Sequence, residues 1–251
     1  MYSGLCTEGL QLKNYGNASE QSRIFTDKKL QKYVAVLVEN YNPDEPEMTW
    51  LPLIMLYSGM RCNEVAQLYL DDIQEDQGIS FFRIVKNLER GQRIKCKASA
   101  RTLPIHPKLQ ELGFLEYVER MRTAGEAQLF PNCKYQKTGY YYSDAMSTRL
   151  NAAINLHISD DRKLRLYSLR ANFRTAIFDR ITTDNVDAIL AGGSAENGIL
   201  EQVLDGIMGH SIKGGTGKTT YTKVTVPLRA KVMTLLEYPC DFSQLQTLLR
   251  Q

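Results

Sequence analysis

The sequence of 251 residues predicts an α+β fold that is mostly helical and contains one small three-stranded antiparallel sheet. Two observations lead to this prediction. Apolar residues recur at helical spacing through most of the chain, whereas residues 78–105 hold short β-rich runs separated by polar turns. Because no internal repeat and no low-complexity segment interrupts the pattern, we expect one compact domain.

The first helices are predicted from apolar periodicity and from their end signals. Thr26 is a suitable N-cap, and residues 30–41 place their apolar side chains on one helical face. The turn at residues 42–46 ends this helix, and a second, more buried helix follows it. Gly59 is expected to end the second helix, and a short third helix is expected over about residues 62–68.

The sheet and the later helices follow from the same kind of pattern. Three runs predict the strands: GISFFRIVK (78–86), QRIKCK (92–97) and ARTLPI (100–105). Helical patterning then returns at residues 107–124, 143–157, 167–181, 199–208 and 227–237. The closing LQTLLRQ predicts one more short helix.

Composition excludes several classes of protein. The five cysteines are scattered and form no C-x-x-C pair, and the chain has only three histidines. We therefore expect no disulfide framework, no metal site and a reducing, cytoplasmic environment. The sequence lacks a run of about 18 apolar residues and a secretion signal, so no membrane partner is expected.

The charge of the chain is unevenly distributed. The formal net charge is only +3, but residues 91–180 contain roughly 16 Lys and Arg against 8 Asp and Glu. A basic middle third on an otherwise acidic chain is typical of a surface that binds phosphates, and equally of a solvated basic face. Charge alone leaves both readings open.

The stretch GHSIKGGTGKTTY (209–221) resembles a phosphate-binding loop at first sight. Gly217, Lys218 and Thr219 match the end of the G-x-x-x-x-G-K-[ST] motif, but Ile212 occupies the position of its first glycine. The preceding segment is helical in pattern, whereas the motif requires a strand there. We therefore expect no nucleotide and no other cofactor, and we interpret the glycines as a loop.

The same stretch also fits a site in which Tyr221 attacks a phosphate. A tyrosine nucleophile needs a proton acceptor, cations that stabilise the transition state and an acid for the leaving oxygen. The chain offers such groups in supporting contexts: Arg61 after a glycine-broken turn, Glu64 three residues on, Lys95 and Lys97 on a predicted hairpin, Arg170 in an amphipathic helix, and His210 eleven residues before Tyr221.

Together these residues resemble the catalytic domain of the tyrosine recombinase (phage integrase) family. The first family box is similar to residues 58–64, SGMRCNE, and the family's S-x-R-x-x-P-[IL] run is similar to residues 99–105. The second box, H-x-L-R, is similar to residues 167–170, and the third, G-H-S with a later tyrosine, to residues 209–221. The resemblance covers about residues 23–237.

The resemblance implies a site-specific recombinase or integrase of a bacterium, phage or other mobile element. It would act on double-stranded DNA through a 3′-phosphotyrosyl intermediate. A recombinase-like protein that binds DNA without cleaving it is the alternative, and a relaxing topoisomerase is a lesser variant. The implied roles are catalysis for Arg61, Lys95, Tyr167, Arg170, His210 and Tyr221, support for Glu64, and DNA binding for Lys97 and Arg101.

Two positions depart from the family pattern or leave it open. Tyr167 stands where the family most often has histidine, and a phenol is a poorer base near neutral pH. Lys95 is at the better distance from Pro104, whereas strand alternation would favour Lys97 as the catalytic lysine.

The resemblance also predicts the domain organisation and assembly. Residues 1–22 are expected to be a tail or linker, residues 23–239 the catalytic domain, and residues 240–251 a C-terminal tail. That tail either docks on a neighbouring subunit, or folds back on its own chain or frays. A homotetramer on DNA, with a monomer in its absence, is implied. Because residues 1–22 are too few for a DNA-clamping domain, we expect a catalytic-domain fragment.

Overall fold

The computed structural model describes residues 23–135, 141–190, 197–209 and 225–251. The helices of these residues are α1 (Asp27–Glu39), α2 (Glu47–Ser58), α3 (Cys62–Ala66), α4 (Pro107–Glu111), α5 (Phe114–Thr123), α6 (Asp144–His157), α7 (Ser168–Leu190), α8 (Asn197–Met208), α9 (Val226–Met233) and α10 (Ser243–Leu249). The strands are β1 (Ile73–Asp76), β2 (Ile79–Ile84) and β3 (Arg101–Pro104). The prediction of a helix-rich chain with a small three-stranded antiparallel sheet is confirmed.

The sheet has the order β1-β2-β3, and one of its strands differs from the prediction. Residues 73–76 form β1 and join β2 through the turn at Gln77 and Gly78, which both have positive φ, of 50° and 75°. Paired positive φ angles are typical of a two-residue hairpin turn. Residues 92–97, which were predicted to be a strand, form only an isolated bridge between Asn87 and Gln92.

A side chain explains why residues 92–97 leave the sheet. The side-chain amide of Gln67 donates to the carbonyl oxygen of Arg93 and accepts from its N–H, both at 2.9 Å. Each backbone donor and acceptor needs one such partner. Since Gln67 satisfies Arg93 as a neighbouring strand would, no ladder forms here, and the prediction of a strand was wrong.

The helix predictions hold, with changes at several ends. The predicted helix over residues 107–124 is two helices, α4 and α5. Helix α7 continues to Leu190, beyond the predicted end at residue 181, whereas α9 ends at Met233. Buried residues of every helix and strand belong to one hydrophobic cluster that extends from Phe25 to Leu249. None of the helices within the described ranges is long and apolar enough to cross a membrane.

The C-terminal segment folds back onto its own chain. Phe242, Leu245 and Leu249 are buried, and α10 packs against α1. Arg120 donates to the carbonyl oxygen of Leu249 at 3.1 Å. Within this chain, the C-terminal segment is therefore packed against the body of the protein.

Gly59 ends α2, as predicted, and brings that end close to two other helices. It has φ of 64°, and its N–H donates to the carbonyl oxygen of Met55. A Cβ atom at Gly59 would lie 2.5 Å from the Phe173 ring of α7 and 2.8 Å from the sulfur of Met208 in α8. Only glycine combines this left-handed conformation with so close an approach.

Replacement of Gly59 by alanine should therefore cost more stability than the backbone conformation alone explains. The left-handed conformation costs about 1 kcal/mol for alanine, and overpacking adds about 1–3 kcal/mol. Gly78→Ala is the matched control, since Gly78 has φ of 75° but no atom within 4 Å of the added Cβ. Urea unfolding of the two variants measures the difference, and equal losses would contradict the close packing at Gly59.

Candidate anion-binding site

Arg61 lies where the end of α2 meets the start of α3. As the N-cap of α3, it donates its backbone N–H to Glu64 Oε2 at 3.0 Å, which is half of a capping box. Its Nη1 donates to Glu64 Oε1 at 2.7 Å and to Ser99 Oγ at 3.2 Å. The side chain is 21% exposed, and its Nε and Nη2 groups make no hydrogen bond to a residue that the structure describes. Two donors of a fixed cation thus remain for an anion.

Glu64 lies between Arg61 and a second, fully buried arginine. The carboxylate of Glu64 is 3% exposed, and it accepts from Arg101 Nη2 at 3.0 Å and from Arg101 Nη1 at 3.3 Å. Burial alone raises the pKa of Glu64, but Arg101 and then Arg61 outweigh burial, and the net shift is downward. Glu64 is therefore ionised and holds both cations.

Arg101 does not occupy a position in which it could bind DNA. Its side chain is 1% exposed. Besides Glu64, its guanidinium donates from Nε to the carbonyl oxygen of Ile207 at 2.7 Å and from Nη1 to that of Ser99 at 2.8 Å. The prediction that Arg101 contacts DNA is corrected, because the guanidinium is buried and its donors are already bonded to acceptors inside the protein.

Arg170 is the third arginine of the cluster, and it caps the C-terminal ends of two helices. It is 1% exposed. Its Nη2 donates to the carbonyl oxygen of Met208 at 2.6 Å and its Nη1 to that of Gly59, which are the last turns of α8 and α2. Burial, followed by the charge of Arg61, lowers its pKa to about 10, so the guanidinium stays charged near neutral pH.

Arg61 and Arg101 together carry one more positive charge than the carboxylate that pairs with them. Glu64 is the one carboxylate among the described residues that forms an ion pair with both, and the charges of Arg61 and Arg101 also act on the pKa of Arg170. Arg229 of α9 adds a half-buried guanidinium, whose pKa is lowered by burial and by the charge of Arg101. Buried charges without counterions are costly. An anion that enters beside Arg61 would offset this cost.

The two candidate lysines lie beside the cluster on the segment that carries Ser99. Lys95 and Lys97 are both exposed, and Lys97 begins a 3₁₀ turn, Lys97–Ser99, that brings Ser99 Oγ to Arg61. Because residues 92–97 do not form a strand, alternation along a strand no longer favours Lys97 over Lys95.

Tyr167 lies at the start of α7, three residues before Arg170. Its side chain is 53% exposed, and its hydroxyl makes no hydrogen bond within the described part of the chain. It is among the groups whose charge acts on the pKa of Arg170. Tyr167 thus lies close to the cluster but is not held by it.

His210 and Tyr221 lie outside the described residues, but the residue before His210 contacts the cluster. Gly209 has φ of 64°, and a Cβ atom there would lie 2.9 Å from Arg101 Nη1 and 3.1 Å from the Cα of Ser99. The start of the predicted third box therefore packs directly on the Arg101 side of the site.

Sequence reasoning missed two parts of this arrangement. It found Arg61, Glu64 and Arg170, which the structure brings together, but gave no role to Ser99 and the wrong one to Arg101. The signal was present, because Ser99 and Arg101 are the first two fixed positions of the S-x-R-x-x-P-[IL] run. Within the described residues, no cluster of His, Cys, Asp and Glu has the arrangement of a metal site.

Comparison with known proteins gives no match for this chain. No family model matches it, and no curated protein and no solved structure is significantly similar to it. The function is therefore argued from the residues of the site.

Replacement of Glu64 by glutamine should destabilise the protein strongly. It removes the counterion of the buried Arg101, and breaking a buried ion pair from one side costs about 3–5 kcal/mol. Glu45→Gln is the control, since Glu45 pairs with Arg149 on the surface, at 2.6 and 2.9 Å, and should be nearly neutral. Urea unfolding near pH 7 measures both, and similar small losses would show that Glu64 is not the counterion of this site.

Proposed function

We propose that this protein is a site-specific DNA recombinase of the tyrosine type, which cleaves and rejoins DNA through a 3′-phosphotyrosyl intermediate. The observation that carries the proposal is the cluster in which Arg61 and Arg101 share the carboxylate of Glu64 and Arg61 keeps its Nε and Nη2 groups open toward the described part of the chain. A phosphodiester is an anion that would complete this cluster. The resemblance to tyrosine recombinases identifies Tyr221 as the nucleophile of the proposed reaction.

The free donors of Arg61 would bind the scissile phosphate. Its Nη1 is held by Glu64 and Ser99, so Nε and Nη2 are fixed in direction before the ligand arrives. Preorganised donors of this kind stabilise the charge that develops in a transition state, because they need no reorganisation during the reaction. Arginine also matches the oxygens of a phosphate in geometry.

In the proposed reaction, the Tyr221 oxygen attacks the scissile phosphorus. The phenol proton of Tyr221 passes to solvent, directly or through Tyr167, as the Tyr221 Oη–P bond forms. The P–O5′ bond breaks, and the leaving oxygen takes up a proton to become a free 5′-hydroxyl on the DNA. Arg61 and His210 would hold the non-bridging oxygens, the buried positive charge of Arg170 would favour the developing negative charge from behind them, and Lys95 would give a proton to the leaving oxygen. The covalent link conserves the energy of the phosphodiester, so a 5′-hydroxyl of a partner strand can reverse the step without a nucleotide.

The proposal includes the catalytic-domain fold for residues 23–239 and a homotetramer on DNA. The helix-rich architecture and the antiparallel sheet beside the arginine cluster support it. Exposed Lys95 and Lys97 on one rim of the site, with Arg162, Lys163 and Arg165 just before α7, are suited to contact DNA phosphates.

A DNA-binding protein without cleavage activity is the second candidate. The exposed Tyr167 favours it, because a phenol that is not held in place replaces the histidine expected at this position. Such a protein would keep the phosphate-binding arginines but would form no covalent bond to DNA.

The test is covalent trapping on nicked DNA. Duplexes that bind the protein are selected from a randomised pool and nicked at successive positions, so that cleavage next to the nick releases a short fragment and traps the adduct. We expect an adduct on a denaturing gel, with the DNA attached to the peptide that contains Tyr221. Tyr221→Phe should abolish the adduct. Tyr141→Phe, which changes a different tyrosine whose side chain is exposed, should retain it.

Each outcome of the trapping experiment separates the candidates. An adduct that persists in Tyr221→Phe contradicts Tyr221 as the nucleophile. DNA binding without an adduct in the unmodified protein supports the second candidate. No DNA binding at any salt concentration would refute both.

A further inference from the structure

Arg101 is bonded to three parts of the site. Its guanidinium makes four hydrogen bonds, to both oxygens of Glu64 and to the carbonyl oxygens of Ser99 and Ile207. Glu64 follows α2, Ser99 precedes β3, and Ile207 lies in the last turn of α8. One buried side chain therefore joins three segments that are far apart in sequence.

The contacts on one side of Arg101 control the direction of Arg61. The carboxylate of Glu64 accepts hydrogen bonds from both arginines, and its Oε1 accepts from Arg61 Nη1 and from Arg101 Nη1. The carbonyl oxygen of Ser99 accepts from Arg101, while the hydroxyl of the same residue accepts from Arg61. Both groups that hold Arg61 are thus themselves held by Arg101.

The contact on the other side fixes the end of α8. The Nε of Arg101 donates to Ile207, and Gly209 packs against Nη1 so closely that a side chain there would collide with it. Arg101 therefore sets the distance between the segment of Ser99 and the end of α8.

We propose that Arg101 is the positioning residue of this site: it aligns Arg61 through Glu64 and Ser99, and it fixes the end of α8 beside them. It would act through these residues without touching DNA. The inference rests on the proposed function where it concerns cleavage, but its effect on Arg61 is a property of the protein alone.

The arrangement requires the shape of arginine and not only its charge. The acceptors lie on different sides of the planar guanidinium, with Ile207 at Nε and Glu64 across Nη1 and Nη2. A lysine ammonium has three donors at one point and cannot span them. Arg101→Lys should therefore retain the charge and lose the alignment.

The experiment measures the mobility of Arg61 and the rate of cleavage in matched variants. Arg101→Lys is the primary variant, and Arg101→Met is the more severe one. Arg122→Met is the control, because Arg122 also donates to backbone carbonyls, of Leu70 and Ile73 at 3.2 and 2.9 Å, but lies outside the cluster. Nitrogen-15 NMR of the full chain reports rotation of the Arg61 guanidinium, and thermal unfolding reports stability.

We expect the Arg61 guanidinium to rotate slowly in the unmodified protein and in Arg122→Met, and faster in Arg101→Lys. Single-turnover cleavage of the trapped duplex should fall by about 100-fold in Arg101→Lys, as expected for a misplaced catalytic group, while the Kd for the duplex stays nearly constant. If Arg101 acted through stability alone, cleavage would depend only on Tm. Arg122→Met and a variant of Arg101 with the same Tm would then lose cleavage activity equally.

The inference is overturned if Arg61 rotates at the same rate in Arg101→Lys as in the control, or if Arg101→Lys retains normal cleavage. If the unmodified protein forms no covalent adduct, the proposed function fails, and the NMR comparison alone decides whether Arg101 aligns Arg61. If Arg101→Met does not fold, Arg101→Lys still gives both measurements.

Discussion

The site depends on the contact of one buried carboxylate with two arginines. Glu64 accepts from Arg61 at 2.7 Å and from Arg101 at 3.0 Å, and without it these cations would lie together with no counterion among the described residues. A buried ion pair contributes little net stability, because desolvation offsets the attraction. Its value here is geometric, since it fixes the direction in which Arg61 presents its remaining donors.

The helix ends around the cluster serve the same purpose. The carbonyl oxygens in the last turn of a helix lack partners within that helix. In this protein, Arg170 bonds to such groups at the ends of α2 and α8, and Arg101 bonds to another at the end of α8. The left-handed Gly59 allows α2 to end against Phe173 and Met208. The two helix ends thus offer partial negative charge to Arg170 and Arg101.

Much of this arrangement could be predicted from local sequence, and the rest depended on distant contacts. Periodicity and glycine positions predicted most helices and the break at Gly59, and the sequence placed Glu64 three residues after Arg61 in a supporting role. The strand at residues 92–97 was predicted wrongly because Gln67, far away in sequence, bonds to the backbone of Arg93. Arg101 was assigned to DNA because an arginine in a basic segment gives no sign that its partners are the buried Glu64 and the backbone of Ile207.

The central claim is that the excess positive charge at Arg61 forms an anion site. The most direct measurement is the Tm of the protein as inorganic phosphate replaces chloride at constant ionic strength. The account predicts a saturable rise in Tm, because a ligand that binds only the folded state stabilises it, and predicts that Arg61→Met abolishes this rise. A Tm that does not respond to phosphate, or a rise of the same size in Arg61→Met, would contradict the account.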